Sequence, residues 1–386
     1  MKNFFSSFFA SLSALVVFCF GLTLVMILFI AALAAIGGGG DKPVAVAKGS
    51  YLVVDLSVNV QDKPEQMDGF EEIAEAFGGE GHHVVQLRSI TRALRAAASD
   101  ADIAGIYLHG NFRPMGYGSG FAALKEMREA LEVFKASGKP IKAYVANAST
   151  RDYYIASVAS ELTIDPYGAI YMPGLASQPM FLTGAFEKFG LGMQVTKVGK
   201  YKSAVEPFTR KDMSPESRLQ TQKLLGDLWA EITATVEQAR KLKPGELQQA
   251  VDTEGFLRAE TAQKLKFVDR SAYLDVVLDE LKAATGQKEA KTFKQIALKD
   301  YARLFGTDGL MAKRQNSGKI ELGAGGGGKV AIVYAEGEII DGTGNDPEYI
   351  WGQKLARQLR EIRQDDSVKA LVLRVNSPGG SVTASE

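Results

Sequence analysis

The most distinctive chemical motif in the sequence is a glycine turn close to its C-terminal end. Residues Lys369–Val375 have the composition of a buried strand, and Asn376-Ser377-Pro378-Gly379-Gly380-Ser381 follows at once. Such a turn has an ordinary structural use, because proline and glycine reverse the chain. It also has a chemical use, since unpaired N–H groups at a helix N-terminus can hold the developing oxyanion of an acyl transfer. Gly379 and Gly380 are therefore candidate oxyanion-hole residues, and both uses stay open.

The composition argues against several other chemistries. The 386 residues include 45 Lys plus Arg and 45 Asp plus Glu, so the formal net charge is zero. A chain without a basic excess is not typical of nucleic-acid-binding proteins, and we expect no nucleic acid partner. The single cysteine, Cys19, cannot form an intrachain disulfide, and His82, His83 and His109 show no paired-ligand spacing. We therefore expect neither a metal site nor a cofactor.

Alternating strand and helix patterns must position these residues. The strand patterns cover Tyr51–Val60, Ile103–Leu108, Ile141–Ala146 and Val330–Tyr334. Helical spacing covers Val84–Ala98, Phe121–Ala136 and the stretch from Ser214 to about Lys241. Strands that alternate with helices predict α/β layers with a parallel sheet.

The N-terminal segment is apolar enough to be a membrane anchor. No charged residue occurs from Asn3 to Gly40, and Phe8–Ile36 is almost wholly apolar. About 20 apolar residues span the hydrocarbon core, so this run can cross it with some tilt. A cleaved signal peptide is the alternative, because Ala32-Leu33-Ala34 resembles a cleavage site, although its apolar region is typically about 7–15 residues. We expect an uncleaved single-pass anchor, with Lys2 in the cytoplasm and the soluble part on the outer face.

Two distant segments of the chain repeat each other. Ile90–Asn111 aligns without a gap on Leu355–Asn376. Identical residues include Arg92, Leu94, Arg95, Asp100, Leu108 and Asn111, which fall on Arg357, Leu359, Arg360, Asp365, Leu373 and Asn376. Agreement in both identity and apolar period predicts a duplicated unit. The first copy continues far beyond Asn111, whereas ten residues follow Asn376, so we expect the second copy to be truncated.

Two blocks of the sequence resemble the signal peptide peptidase A family. The first is Leu373–Glu386, which contains the glycine turn, and the second is Gly199–Phe208, continued by Asp212–Pro215. Together with the apolar N-terminus and the repeat, they resemble the long, two-repeat form of that family.

The resemblance implies a fold and a catalytic base. The fold is α/β, with tandem Clp/crotonase-like repeats of strand–strand–helix units after an N-terminal transmembrane helix. The chemistry is that of a Ser–Lys dyad in which Lys202 is the general base. A lysine has an ordinary pKa of about 10.4, and burial lowers it enough for the amine to accept a proton. We expect burial by the neighbours Tyr201, Ala204, Val205 and Phe208, with Glu206 and Arg210 bracing the segment.

The serine nucleophile of the family has no match in the sequence. In the family it lies one helix and one strand after the turn, in an Ala-Ser-Gly-Gly type of motif. We therefore expect the nucleophile beyond Glu386 and no activity from the chain as given. Ser381 is expected to cap the helix that begins there, and Ser377 belongs to the turn. Ser149 occupies roughly the nucleophile's position in the first copy, but bulkier residues than the family's follow it.

The expected organisation has four segments. They are residues 1–40 with the cytoplasmic tip, anchor and glycine break, residues 41–290 as the first repeat with the lysine base, residues 291–328 as a linker, and residues 329–386 as the start of the second repeat.

The resulting hypothesis is a membrane-bound serine endopeptidase that degrades cleaved signal peptides and other hydrophobic peptides. The resemblance implies a homotetramer in contact with the lipid bilayer of the bacterial inner membrane, with its soluble part on the periplasmic face. Two alternatives stay open because a fold does not fix a function. One is a non-catalytic membrane scaffold that binds peptides, and the other is an acyl-CoA enzyme of the crotonase fold.

Overall fold

The computed structural model describes residues 12–26, 46–64, 84–305 and 329–386 of the chain. Residues 12–26 form a helix, α1, in one compact unit, and the other described ranges belong to a second unit. Across these ranges, no helix combines the length and the apolar character needed to cross a bilayer. Both ends of the expected anchor, and Gly37–Gly40 after it, lie outside the described residues.

Strands and helices alternate in the second unit. In chain order they begin with β1 (Ser50–Asp55), β2 (Asn59–Gln61), β3 (Val84–Gln86), α2 (Leu87–Ser99), β4 (Ile103–His109), α3 (Phe121–Ala136), β5 (Ile141–Ser149), α4 (Thr150–Ala156) and β6 (Glu161–Tyr171). They continue with α5 (Thr183–Lys188), α6 (Glu206–Thr209), α7 (Pro215–Arg240), α8 (Glu246–Glu254), β7 (Phe256–Arg258), α9 (Ala259–Lys264), β8 (Arg270–Ser271), α10 (Leu274–Ala284), β9 (Gln295–Ala297) and α11 (Leu298–Phe305). The last described range contains β10 (Lys329–Glu336), β11 (Glu338–Ile340), β12 (Tyr349–Trp351), α12 (Gly352–Gln364), β13 (Val368–Asn376) and α13 (Val382–Ser385).

A seven-stranded sheet is the frame of this unit. Its order is β7-β6-β5-β4-β1-β9, and β8 also pairs with β6. The β6–β7 pair is antiparallel, whereas the other neighbours run parallel. Parallel neighbours need a crossover connection, and α2 and α3 lie in the crossovers from β1 to β4 and from β4 to β5. The expected α/β fold with a predominantly parallel sheet is confirmed.

The spacing of apolar residues explains why the crossover segments form amphipathic helices. In α2, Leu87, Ile90 and Leu94 are buried, while the arginines between them are exposed. Helix α3 has the bounds that the sequence predicts. It stops before Gly138, whose φ of 85° is the left-handed conformation that commonly follows a helix end.

Both faces of the sheet are buried, as is usual for parallel sheets. One face carries an aromatic cluster of Tyr51, Tyr107, Tyr144 and Phe293, packed with Val277 and Leu281 of α10. The rings of Tyr51 and Tyr107 meet the Phe293 ring edge-on, at centroid separations of 6.4 and 5.7 Å. Leu52 and Val54 alternate with Tyr51 along β1, so they face the other side, and both are fully buried. The segment that contains Lys202 therefore begins at a strand, β6, of a sheet that is buried on both faces.

Two local expectations are wrong. The strand expected over Tyr51–Val60 is interrupted after Asp55, because the Asp55 Oδ1 atom accepts the Ser57 N–H at 2.8 Å and the chain turns there. Residues Val84–Gln86, expected to open a helix, instead pair with β2 as β3. Period alone does not separate a short apolar strand from the first turn of an amphipathic helix. β9 and α11 lie within residues 291–328, the segment that stays predicted as a linker, and β9 pairs with β1.

Residues 329–386 reproduce the order of elements at the beginning of the unit. β10 pairs with β13 as β1 pairs with β4, and β11 pairs with β12 as β2 pairs with β3, all parallel. A register shift follows the first residue pair in both β1–β4 and β10–β13. The bounds of α12 and the start of β13 match those of α2 and β4 in the ungapped sequence alignment. The two stretches share local topology as well as sequence pattern.

Candidate active site

Lys202 lies in a long segment between β6 and α7 that contains the short helices α5 and α6. Its backbone N–H donates to the Gly199 carbonyl at 3.5 Å. Gly199 has a φ of 89°, a left-handed conformation that glycine adopts without steric cost. The family-like block therefore begins with a turn that leads directly into the lysine.

The Lys202 side chain is exposed in the chain. Tyr201 and Phe208 are 54% and 37% exposed, Ala204 is also exposed, and Val205 is half-buried. The expected burial of Lys202 by these neighbours is therefore wrong for the chain by itself. The segment carries its apolar groups outward on the surface, and they do not fold over the amine. The assignment of Lys202 as a base is a separate matter and stays a prediction.

Glu206 fixes the segment to the start of α7. Its carboxylate is 2% exposed and accepts the Ser214 backbone N–H at 3.0 Å and the Ser214 hydroxyl. Ser214 in turn caps α7 by accepting the Ser217 N–H at 3.1 Å. Burial alone would raise the pKa of Glu206, but the hydrogen bonds from Ser214 and the charges of Lys197 and Arg210 together lower that pKa. Glu206 has the bracing contacts that the sequence analysis expected.

Contacts between α5 and the end of α6 hold the rest of the segment. The Thr183 hydroxyl donates to the Arg210 carbonyl at 2.6 Å, and the Phe186 and Phe208 rings stack with centroids 6.3 Å apart. The Arg210 Nε–H donates to the Asp212 carbonyl at 3.1 Å. The two short helices therefore pack as one piece, with Lys202 on the connection between them.

The glycine turn is bonded to β11. The Gly379 carbonyl accepts the Ile339 N–H at 2.9 Å, and the Ser381 N–H donates to the Ile339 carbonyl at 2.8 Å. The Gly379 N–H donates to the Ser377 Oγ atom at 3.1 Å. Within the described ranges, the Gly380 N–H makes no hydrogen bond. Of the two candidate oxyanion donors, Gly379 is thus already engaged and Gly380 is available.

The hydroxyls beside the turn have structural partners. Ser381 accepts the Ala384 N–H at 3.3 Å as the cap of α13, which confirms the expected cap. Its hydroxyl also donates to Asp341. Ser377 accepts the Gly379 N–H within the turn. Neither serine has the arrangement of a free nucleophile next to a base.

Ser149 is part of a capping box at the carboxyl end of β5. Its hydroxyl donates to Asp152 Oδ2 at 2.7 Å, and its backbone N–H donates to the same atom at 2.8 Å. Asp152 is 3% exposed and also accepts from the Phe112 N–H at 2.8 Å and Asn111 Nδ2 at 2.9 Å. Asp152 is not among the predicted residues, although its spacing from Ser149 is that of a capping box. The Ser149 hydroxyl therefore has a structural role.

A metal site is a separate question. The described residues include no group of three or more His, Cys, Asp and Glu side chains that could hold a metal ion. His82 and His83 lie outside the ranges that this statement covers.

Comparison with known proteins finds a peptidase family that part of the chain resembles. Residues 133–288, which contain Ser149, Asp152 and Lys202, match the family model described as Peptidase family S49. This part of the chain is similar to peptidase family S49. The matched region thus runs from the end of α3 to just beyond α10 and includes the lysine segment.

The curated relatives of the chain have protease names. The chain is 33% identical to "Protease 4" of Salmonella typhi, over 90% of this chain and 55% of that relative. It is 31% identical to "Protease 4" of Haemophilus influenzae, over 96% of this chain and 60% of the relative. "Serine protease SPPA, chloroplastic" of Arabidopsis thaliana is 28% identical, over 88% of this chain and 46% of the relative. The chain therefore spans about half to three fifths of the length of these relatives. The resemblance to signal peptide peptidase A is confirmed at the level of the family.

Proposed function

We propose that this chain supplies the general base, Lys202, to a membrane-anchored serine endopeptidase. One observation carries the proposal. The lysine block lies inside the S49 match, in a chain similar over 90% of its length to a protein named Protease 4. The serine nucleophile is contributed by the part of the relatives' length that the chain does not span.

The proposed chemistry is acyl transfer. The neutral Lys202 amine takes the proton of the serine hydroxyl while the serine oxygen attacks the peptide carbonyl. The Gly380 N–H, with the partial positive charge of the adjoining helix start, stabilises the oxyanion that forms. The protonated amine then gives its proton to the leaving peptide nitrogen, and water releases the acyl group from the serine in a second round.

A lysine that acts as a base at neutral pH requires an enclosure that the described residues do not provide. Several apolar side chains of the lysine segment are exposed, namely Met180, Phe189, Leu191, Met193, Val198 and Tyr201. Several exposed apolar side chains on one segment are consistent with an interaction site. We propose that a second surface covers it, from the rest of the protein or from another copy in a homotetramer. That contact would desolvate the Lys202 amine and lower its pKa.

The substrates of the proposed enzyme are hydrophobic peptides, in particular signal peptides after their release. An apolar run without charge from Asn3 to Gly40 supports an anchor in the bacterial inner membrane. Such an anchor would keep the enzyme where these peptides accumulate, with its soluble part on the periplasmic face. The shared order and pairing of elements in residues 50–109 and 329–376 support two tandem Clp/crotonase-like repeats.

Substitution of Lys202 tests the proposal. In the full-length protein, we expect Lys202→Ala to lower kcat/KM on a fluorogenic apolar peptide by at least about 10³-fold, since a base in a dyad is indispensable. Lys202→Arg is expected to be equally inactive, because a guanidinium does not deprotonate. Lys200→Ala is the matched control, since Lys200 is exposed on the same segment, and we expect activity within about threefold of wild type.

Two results would decide against this proposal. Retained activity in Lys202→Ala would remove the lysine as base. A wild-type protein that binds apolar peptides but neither cleaves them nor reacts with a serine-directed fluorophosphonate would favour the non-catalytic scaffold. Exposure of Lys202 in this chain is the observation that favours the scaffold.

A further inference from the structure

Polar contacts connect the end of β13, just before the glycine turn, to the first half of the chain; we call these contacts the junction. The Arg374 Nη2 atom lies 2.6 Å from Asp62 Oδ1 and 2.8 Å from Glu126 Oε1. Two residues later, Asn376 Nδ2 donates to the Tyr117 carbonyl at 3.0 Å. Ser377 and the turn follow immediately, so these contacts hold the last residues before the turn.

Glu336, at the end of the neighbouring strand β10, adds a third contact beside Asn376. It pairs with Asn376 in the register of β10 and β13 and is 5% exposed. Its Oε2 atom accepts the backbone N–H groups of Asp62 at 2.9 Å and Lys63 at 3.1 Å. Lys63 Nζ also donates to the Pro347 carbonyl. The loop after β2 is therefore fixed to the ends of both β10 and β13.

The contacts involve one side of β13 only. Arg374 and Asn376 are half-buried, whereas Leu373 and Val375 between and beside them are exposed. Because side chains alternate along a strand, the half-buried side faces the first half of the chain. The strand is thus attached by two polar side chains at its carboxyl end, where the turn begins.

The first copy uses its corresponding positions differently. In the ungapped alignment, Arg374 falls on His109 and Asn376 on Asn111. His109 Nδ1 lies 3.9 Å from Asp55 on the neighbouring strand of its own sheet, and Asn111 bonds to Asp152. A strand–helix–strand unit of this type therefore forms without an arginine at that position. The arginine of the second copy reaches across to the first.

We propose that Arg374, Asn376 and Glu336 are positioning residues that hold the glycine turn at a fixed place against the first half of the chain. The inference rests on the proposed function for its catalytic consequence. Oxyanion donors act only when they are preorganised at the reacting carbonyl, with a tolerance of about 0.5 Å. The base, Lys202, comes from one half of the chain and the oxyanion donor, Gly380, comes from the other. Contacts that set their relative position are therefore needed.

Substitution of Arg374 in the full-length protein tests this inference by two measurements. Arg374→Met removes both ion pairs. We expect hydrogen exchange in residues 376–381 to become about tenfold faster, with no change in β4 to β6. We expect kcat on an apolar peptide to fall about tenfold with KM within about twofold, because the donor is misplaced without loss of substrate binding. Lys369→Met, on the exposed part of the same strand, is the control and should change neither quantity.

A double variant that swaps the two charges distinguishes loss of the ion pair from misfolding. Arg374→Asp should show the same faster exchange as Arg374→Met, and the double variant Arg374→Asp with Asp62→Arg should recover most of the protection and kcat. Unchanged exchange in folded Arg374→Met would overturn the positioning role, as would faster exchange with an unchanged kcat. If the wild-type protein has no peptidase activity, the proposed function fails, and the exchange measurement alone still decides whether the junction holds the turn.

Discussion

At the scale of a single residue, the Asp152 carboxylate organises the carboxyl end of β5. It accepts from the Ser149 N–H and hydroxyl, from Phe112 and from Asn111. Asp152→Ala would leave several donors without a partner, so we expect the free energy of unfolding to fall by about 3 kcal/mol. Ser149→Ala removes one capping hydroxyl, and we expect a loss of about 1 kcal/mol. Urea denaturation monitored by circular dichroism measures both.

Asp279→Ala is the control for these two variants. Asp279 is an exposed carboxylate on α10, and its loss should change stability by less than about 0.5 kcal/mol. Equal destabilisation by Asp152→Ala and Ser149→Ala would mean that the carboxylate has no role beyond the cap. In the full-length protein, loss of peptidase activity in a folded Ser149→Ala variant would contradict the structural role assigned to this hydroxyl.

At the scale of an element, the glycine turn depends on two backbone conformations that favour glycine. Gly379 and Gly380 have φ angles of 105° and 154°. A Cβ atom on Gly380 would lie 2.0 Å from the Ile339 carbonyl oxygen, whereas one on Gly379 would meet open space. We expect Gly379→Ala to cost the turn about 1–3 kcal/mol from strain alone. Gly380→Ala should cost more, because it also separates the turn from β11.

Hydrogen exchange at the Ser381 amide measures this difference, since that amide donates to Ile339. We expect the Ser381 amide to be most protected in the wild type, less protected in Gly379→Ala and least protected in Gly380→Ala. Gly138→Ala serves as a remote comparison, because Gly138 also has a left-handed φ with open space around it. If Gly380→Ala lowered the protection of the Ser381 amide no more than Gly379→Ala does, the turn would move away from β11 at little cost in free energy.

Elements with a strong internal pattern are predictable from the sequence. The helix over Phe121–Ala136 has the predicted bounds, and α7 begins after Ser214 and ends where Lys241 turns left-handed. The strand β6 was not predicted, because Asp165, Pro166 and Gly168 interrupt its apolar run. It forms because β5 and β8 both pair with it in parallel. Pairing with distant strands is a tertiary effect that local sequence does not contain.

At the scale of the whole molecule, the site was only partly predictable for the same reason. The glycine turn and the cap at Ser381 follow from local residue types. The exposure of Lys202 does not, because apolar neighbours in sequence bury a side chain only when another surface covers them. The contacts of Arg374 and Glu336 with Asp62 join residues about 300 positions apart. They become visible only once the two halves of the chain are folded together.

The junction between those halves should make stability depend on pH through Glu336. Burial raises the pKa of this carboxyl, although the N–H groups of Lys63 and Asp62 oppose the effect. A pKa that is higher in the folded chain than in the unfolded chain means that the folded form binds the proton more tightly. That contribution to stability is fully present below the unfolded pKa, about 4.3 for glutamate, and is lost as pH rises through the folded pKa.

Glu336→Gln removes this dependence while its carbonyl oxygen can still accept both N–H groups. We therefore expect the free energy of unfolding of Glu336→Gln, relative to wild type, to increase as pH rises from about 4 to about 7. Urea denaturation of both proteins at a series of pH values measures the difference. Glu338→Gln, at an exposed position of β11, should show a difference that does not change with pH. A constant difference for Glu336→Gln as well would mean that the buried carboxyl is not desolvated, and that water reaches the junction between the two halves.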